Sequence, residues 1–166
     1  MNAPAPATAF PERVHAGGQT GVDRAALDAA LAAGVPCGGW CPAGRAAEDG
    51  PIAGRYPLHE TPLARSTQRT VWNVRDTDAT LVLLWGPPAG GTALTLAATR
   101  RLKRPCLQVR LDAENAGAAA EQVRGWLAAH RVGTLNVAGP RESEAPGVYA
   151  AARALLERVL RRAATP

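Results

Sequence analysis

The stretch that most limits what this chain can fold into is ATLVLLW, residues 79–85, apolar but for one threonine. A strand with one wet face alternates polar and apolar residues. An unbroken apolar run of this length instead reads as a strand buried on both faces, as in the middle of a parallel sheet. Around it, short apolar runs alternate with helical stretches, the pattern of βαβ units. A short strand is predicted over residues 13–16, a helix over 22–33 stopped by Gly34, and a second strand over 35–40. Thr20 and Asp23 are spaced as a capping pair for that helix. Residues 41–62 form a long loop rich in Gly and Pro, of a length that is uncommon unless functional. Helices are predicted over 64–76, 93–103 and 113–130, and strands over 105–111 and 134–138. Pro146 opens a last helix with an apolar stripe of Val148, Ala152, Leu155, Leu156 and Val159. The expected fold is α/β: a three-layer Rossmann-like domain over residues 13–163, with a mostly parallel sheet and helices on both faces. Residues 1–12, rich in Ala and Pro, are expected to form a flexible tail.

Composition narrows the partners. An apolar fraction of 46% with 20% charged residues excludes global disorder, and 4% aromatics leaves the core to Ala, Leu and Val. The net charge of +5 comes almost wholly from Arg, whose fork fits phosphate and carboxylate. The densest basic clusters, residues 100–104 and 158–162, fall near predicted helix ends and complement the helix dipole there. No basic run is interleaved with aromatics, so nucleic acid is not the expected partner. Cys37, Cys41 and Cys106 form neither a disulfide framework nor a zinc spacing, and read as reduced cysteines of a cytoplasmic protein. No apolar run reaches the length of a membrane span, and the N-terminus lacks a signal-peptide pattern.

Three predicted strands run into turns of small or polar residues, and ligands of open α/β sheets bind outside the carboxyl ends of strands. Gly17, Gly18, Gln19, Thr20 and Gly21 lead into the first helix, and Gly90, Gly91 and Thr92 precede another. Glycines let backbone approach a ligand, and the N–H groups at a helix start attract anions. The third turn offers Asn136, Arg141, Glu142 and Ser143. Neither glycine turn has the P-loop or dinucleotide spacing. In the long loop, Arg45, Glu48 and Asp49 are either a solvated turn or a flap that selects the ligand. Trp40 and Trp72 either stack on a flat heterocycle or belong to the core. His15 reads as a packing residue, and no catalytic triad or histidine cluster stands out.

GGQTGVDRAALDAA (17–30), GGWCPAGRAAEDGPI (38–52), RYPLHETP (55–62), QRTVWNVRDTDATLVL (68–83), GGTALT (90–95) and LNVAGPRES (135–143) resemble the molybdenum carrier family. The likeness runs from about His15 to the last helix. It implies a ligand such as the molybdenum cofactor (molybdopterin), a pterin with a phosphate and a dithiolene-held molybdenum. That family is similar to a wider Rossmann superfamily of phosphoribohydrolases, nucleotide sensors and a DNA-processing protein. The phosphoribohydrolases carry an Arg nine residues before a strand-opening Asp, as Arg69 stands before Asp78 here. Their catalytic Glu is replaced by Thr95, which cannot stabilise an oxocarbenium charge or move a proton as a carboxylate does.

The expectation is therefore a protein that binds and protects molybdenum cofactor without catalysis. The phosphate would rest on amides of residues 17–21 or 90–93, with Arg45, Arg69 or Arg141 adding charge-assisted hydrogen bonds. Asn73, Asn136, Glu48 and Asp49 would read the ring. The superfamily implies a homodimer or homotetramer. The alternatives are a phosphoribohydrolase-like enzyme using Glu48, Asp49 or Glu142, a nucleotide-binding sensor, and a single-strand DNA binder.

Overall fold

The computed structural model describes residues 10–112 and 114–162. Its elements in chain order are β1 (Arg13–His15), α1 (Val22–Ala33), β2 (Cys37–Gly38), β3 (Trp40–Cys41), β4 (Ala46–Ala47), β5 (Gly50–Pro51) and β6 (His59–Glu60). There follow α2 (Ser66–Arg75), β7 (Ala79–Leu84), α3 (Gly90–Arg101), β8 (Cys106–Arg110), α4 (Ala116–Ala129), β9 (Thr134–Ala138) and α5 (Val148–Leu160).

Five strands form one parallel sheet in the order β2-β1-β9-β7-β8. All six residues of β7 are buried, as its unbroken apolar run requires. Right-handed crossovers place α1 on one face, on the way from β1 out to β2, and α3 on the other, between β7 and β8. α5 packs against both α1 and α4, while α2 packs against α3. The core on the α1 face is small and aliphatic: Ala25, Ala26, Ala29 and Leu27 of α1 meet Ala152, Leu155, Leu156 and Val159 of α5. Alanine-rich contact surfaces let helix axes approach closely, which suits a chain with few aromatics.

The second strand is shorter than its apolar run predicts. Gly39 has φ of 124°, and a Cβ there would sit 2.5 Å from the Ala16 carbonyl oxygen. The chain therefore leaves the main sheet at Gly39, and Trp40 and Cys41 pair instead with His59 and Glu60. The loop expected over 41–62 is built rather than structureless. It holds this small parallel pair and a β4-β5 hairpin with Glu48 and Asp49 at its tip.

α3 begins at Gly90 and α4 at Ala116, against predicted starts at 93 and 113; residue 113 lies outside the described residues. Of the expected tail, residues 1–9 lie outside the described residues. By Phe10 the chain is docked: the Arg162 guanidinium lies 5.2 Å from the Phe10 ring, and Glu12 N–H donates to the Gly133 carbonyl. Among the described residues no helix is long and apolar enough to cross a membrane.

Candidate functional site

A groove of about 140 Å³ opens where β1 and β9 end and α2 and α3 begin or pass over. This is the place where strands of an open α/β sheet diverge toward crossovers of opposite direction. Gly17, Gln19 and Asp23 form one wall, and Arg69, Thr70 and Asn73 of α2 form the roof. Gly91, Thr92 and Thr95 of α3 face them, and Asn136, Arg141 and Glu144 close the third side.

The two glycine turns have different fates. In the first, Gly17, Gly18 and Gly21 are buried. Two of its amides and the first of α1 are already engaged: Gln19 N–H donates to the Asp23 carboxylate at 3.2 Å, Thr20 N–H to the Gln19 side chain at 3.0 Å, and Val22 N–H to the Pro140 carbonyl at 3.2 Å. Asp23 thus takes the place that an external anion would occupy. The expected Thr20–Asp23 capping pair is absent: the N-cap of α1 is Gly21, with no side-chain cap. The Thr20 hydroxyl instead donates to Glu48 and accepts from Glu142 N–H.

In the second turn, Gly90 and Gly91 are exposed and no side chain caps α3. The N–H groups of a first helical turn have no intrahelical acceptor and carry the positive end of the dipole. The start of α3 is therefore an uncapped, dipole-positive end, and Gly91 and Thr92 there line the groove.

Two arginines line the same groove. Arg69 is largely buried, donates from Nη1 to the Gly17 carbonyl at 2.6 Å, and lies 3.7 Å from Asp23. Arg141 pairs with Glu144 at 3.2 Å on the rim. Burial pushes the Asp23 carboxyl above its ordinary range, and Arg69 draws it back only in part. Asn136, fully enclosed, donates to the Thr80 hydroxyl at 3.2 Å. Thr95 donates to the Gly91 carbonyl at 2.9 Å, so the position that would hold a carboxylate in a phosphoribohydrolase offers a hydroxyl already in use.

Eight of the residues singled out from sequence line the groove: Gly17, Gln19, Arg69, Asn73, Gly91, Thr92, Asn136 and Arg141. Gly90 adjoins it in α3, while Gly18, Thr20 and Gly21 lie in the closed turn. The expected ligand contacts of the loop are spent on architecture. Arg45 donates to the carbonyls of Ile52, Ala53, Tyr56 and Leu58, which holds the loop in shape. Asp49 forms a two-pronged pair with Arg24 at 2.8 and 2.9 Å. Glu48 accepts from Ser143 and Thr20, which hold its carboxyl below the usual range. Glu142 caps α5 through Gly147 and Tyr149 N–H. Asn73 lines the groove, but its amide clamps Trp40, accepting from its N–H at 2.8 Å and donating to its carbonyl at 2.9 Å.

Trp40 and Trp72 meet edge to face at 4.8 Å, away from the groove. Glu144 is a groove residue the sequence did not single out, and Asp23 is one it marks only as half of a capping pair. An acid in the first turn of a helix reads as a dipole complement, and nothing local distinguishes Asp23 from that role. Among the described residues no group of three or more His, Cys, Asp and Glu is placed to hold a metal ion.

The crystal structure of a protein from Syntrophus aciditrophicus SB named "Putative molybdenum carrier protein" is similar to this chain with a TM-score of 0.88 and 42% sequence identity. The match covers 92% of this chain and 96% of that one. No curated protein matches. Residues 14–160, which carry both glycine turns, both groove arginines and all of the main sheet but Arg13, match the model of the circularly permutated YpsA SLOG family, and the chain belongs to that family.

Proposed function

We propose that this protein binds molybdenum cofactor in the groove and carries it, in the cytoplasm and as a homo-oligomer, without transforming it. The observation that carries the reading is the uncapped start of α3 set across a groove from Arg69 and Arg141. Amides of Gly90 and Gly91 would hold the terminal phosphate, and the two guanidinium groups would add charge-assisted hydrogen bonds. Asp23 and Glu144 act as resident counter-ions that give way when phosphate arrives. Glu144 can swing away from Arg141, and Asp23 can take up a proton. The name of the Syntrophus protein supports molybdenum as the cargo, and the position of Thr95 supports binding without hydrolysis.

Purification without oxygen, followed by assays for molybdenum, oxidised-pterin fluorescence and nucleotide, tests the ligand. Molybdenum and a phosphorylated pterin are expected in the bound fraction; a nucleotide without molybdenum overturns the assignment. Gly91→Asp tests the cradle. A Cβ at Gly91 meets nothing within 4 Å, and an acid in a first helical turn favours the helix, so the fold should persist. Its carboxylate would occupy the phosphate position and weaken phosphate binding by about 100-fold, roughly the loss of two charge-assisted hydrogen bonds.

A second reading rests on the two carboxylates that do line the groove. Asp23 is buried with a raised pKa, the condition in which a carboxyl can donate a proton, and Glu144 stands at the rim. Hydrolysis of a nucleoside monophosphate would use them. Release of free base that is lost in Asp23→Asn would favour that enzyme over the carrier.

A further inference from the structure

The groove is too small for the molecule assigned to it. About 140 Å³ takes a phosphoryl group and a short linker, whereas sites that enclose a whole small ligand usually span about 300–1,000 Å³. A second cavity of about 290 Å³ adjoins it across Thr92 and Glu144, which line both. Its walls are Trp85, Pro87, Pro88, Ala89 and Pro140, so its character is apolar where the groove is polar.

Trp85 is the unusual member. It follows directly on the fully buried strand β7, yet is 44% exposed. The other three tryptophans are committed: Trp40 and Trp72 to each other, and Trp126 to the His130 ring at 5.3 Å. Among the described residues Trp85 has no such ring partner. Prolines beside it fix a flat, stiff wall at little entropic cost. An exposed indole and three proline rings lining one cavity, joined through Thr92 and Glu144 to the polar groove, offer the surfaces that a planar ring needs.

We propose that the heterocyclic ring of the phosphorylated ligand docks on Trp85 in the proline-walled cavity, while its phosphate lies on the start of α3. The ligand class is thus a flat, amino-substituted nitrogen heterocycle with a phosphate a few bonds away. Thr92 and Glu144 lie under the linker, and the Glu144 carboxylate accepts from N–H groups on the ring edge. This placement rests on the groove being the phosphate site, but goes beyond it by giving the ring its own pocket and its own anchor.

Titration calorimetry with two probes separates the parts: 6-hydroxymethylpterin monophosphate, which has ring and phosphate, and inorganic phosphate, which has only the latter. Trp85→Ala should weaken the pterin phosphate by about fivefold or more, since base–aromatic stacking lost to alanine is worth roughly that much or greater. Binding of inorganic phosphate should be unchanged, and Trp85→Phe should restore most of the loss. The side chain is exposed, so the unfolding midpoint should hold. If Trp85→Ala leaves the pterin phosphate unaffected while Gly91→Asp abolishes it, the ring lies elsewhere and only the phosphate cradle survives. If Trp85→Ala weakens both probes equally, the separate ring pocket is wrong. If the wild-type protein binds neither probe, the phosphate reading fails and the ring placement with it.

Discussion

The two glycine turns look alike in sequence and are opposites in space. Gly17, Gly18 and Gly21 are buried under the loop, which the hairpin tip clasps through Thr20–Glu48 and Arg24–Asp49, and the Gln19 and Thr20 amides between them are answered from within. Gly90 to Thr92 is bare at its start, with no cap and no neighbour within 4 Å of a Cβ at Gly91. Glycine serves packing in the first and access in the second. The difference teaches that a glycine-rich strand-to-helix turn announces close approach of something, and the something can be the protein itself.

The largest expected effect tests that division directly. Gly21 has φ of 76° and ψ of −127°, a region that residues with a Cβ avoid. A Cβ there would lie 2.4 Å from the Pro140 carbonyl oxygen and 2.9 Å from the Arg141 backbone, neither of which is a flexible side-chain end. Gly21→Ala should cost about 3 kcal/mol or more of stability in urea unfolding. Gly91→Ala should instead be neutral or stabilise by up to about 1 kcal/mol, because alanine is the better helix former and finds space. Equal losses at both positions would erase the comparison.

Next in size is Asp23→Asn. Asp23 is the anion that the closed turn has built in, and it also faces the groove. The asparagine oxygen can still accept from Gln19 N–H, while one negative charge leaves the site. Phosphate should bind about tenfold tighter or more, since one charge–charge interaction at about 4 Å is worth about 1 kcal/mol in water and about 4 kcal/mol at an effective dielectric near 20. The wild-type protein should take up a proton on binding, seen as buffer-dependent heat in calorimetry, and the variant should not. Unchanged affinity and unchanged proton uptake would mean that the two turns do not share one electrostatic site.

Much of this was legible beforehand. The unbroken apolar run marks β7 as an interior strand, paired on both sides, and the turns after β1, β7 and β9 do gather at one end of the sheet. Arg69, Asn136 and Arg141 line one groove. What was not legible depends on contacts distant in sequence. The insertion of β9 between β1 and β7 leaves no local mark. Trp40 pairs with His59 rather than extending β2, because Gly39 must clear the Ala16 carbonyl. The polar loop residues Arg45, Glu48 and Asp49 carry the chemistry of ligand contacts, but find backbone carbonyls, a hydroxyl and an arginine first. Gly90 and Gly91 have poor helix propensity, yet tertiary packing extends α3 over them and so presents their amides.

The smallest expected effect concerns His15, which ends β1 immediately before the closed turn. Burial lowers its pKa below the ordinary value near 6.5, Arg13 and His59 lower it further, and Asp76 opposes them. Its Nδ1 is enclosed without a partner, so the folded protein prefers the neutral ring. Above 6.5 the ring is neutral in both states and contributes nothing to pH dependence. As pH falls through 6.5, the unfolded chain gains a proton that the folded chain resists, and stability drops until the lowered folded pKa is reached. Asp23 works in the opposite sense at more acid pH, because its raised pKa lets the folded state take up a proton first. His15→Gln should flatten the decline just below pH 6.5 in thermal unfolding and leave phosphate affinity unchanged. A parallel change in phosphate affinity would mean that the closed turn transmits to the groove after all, and that its rigidity is less complete than its hydrogen bonds imply.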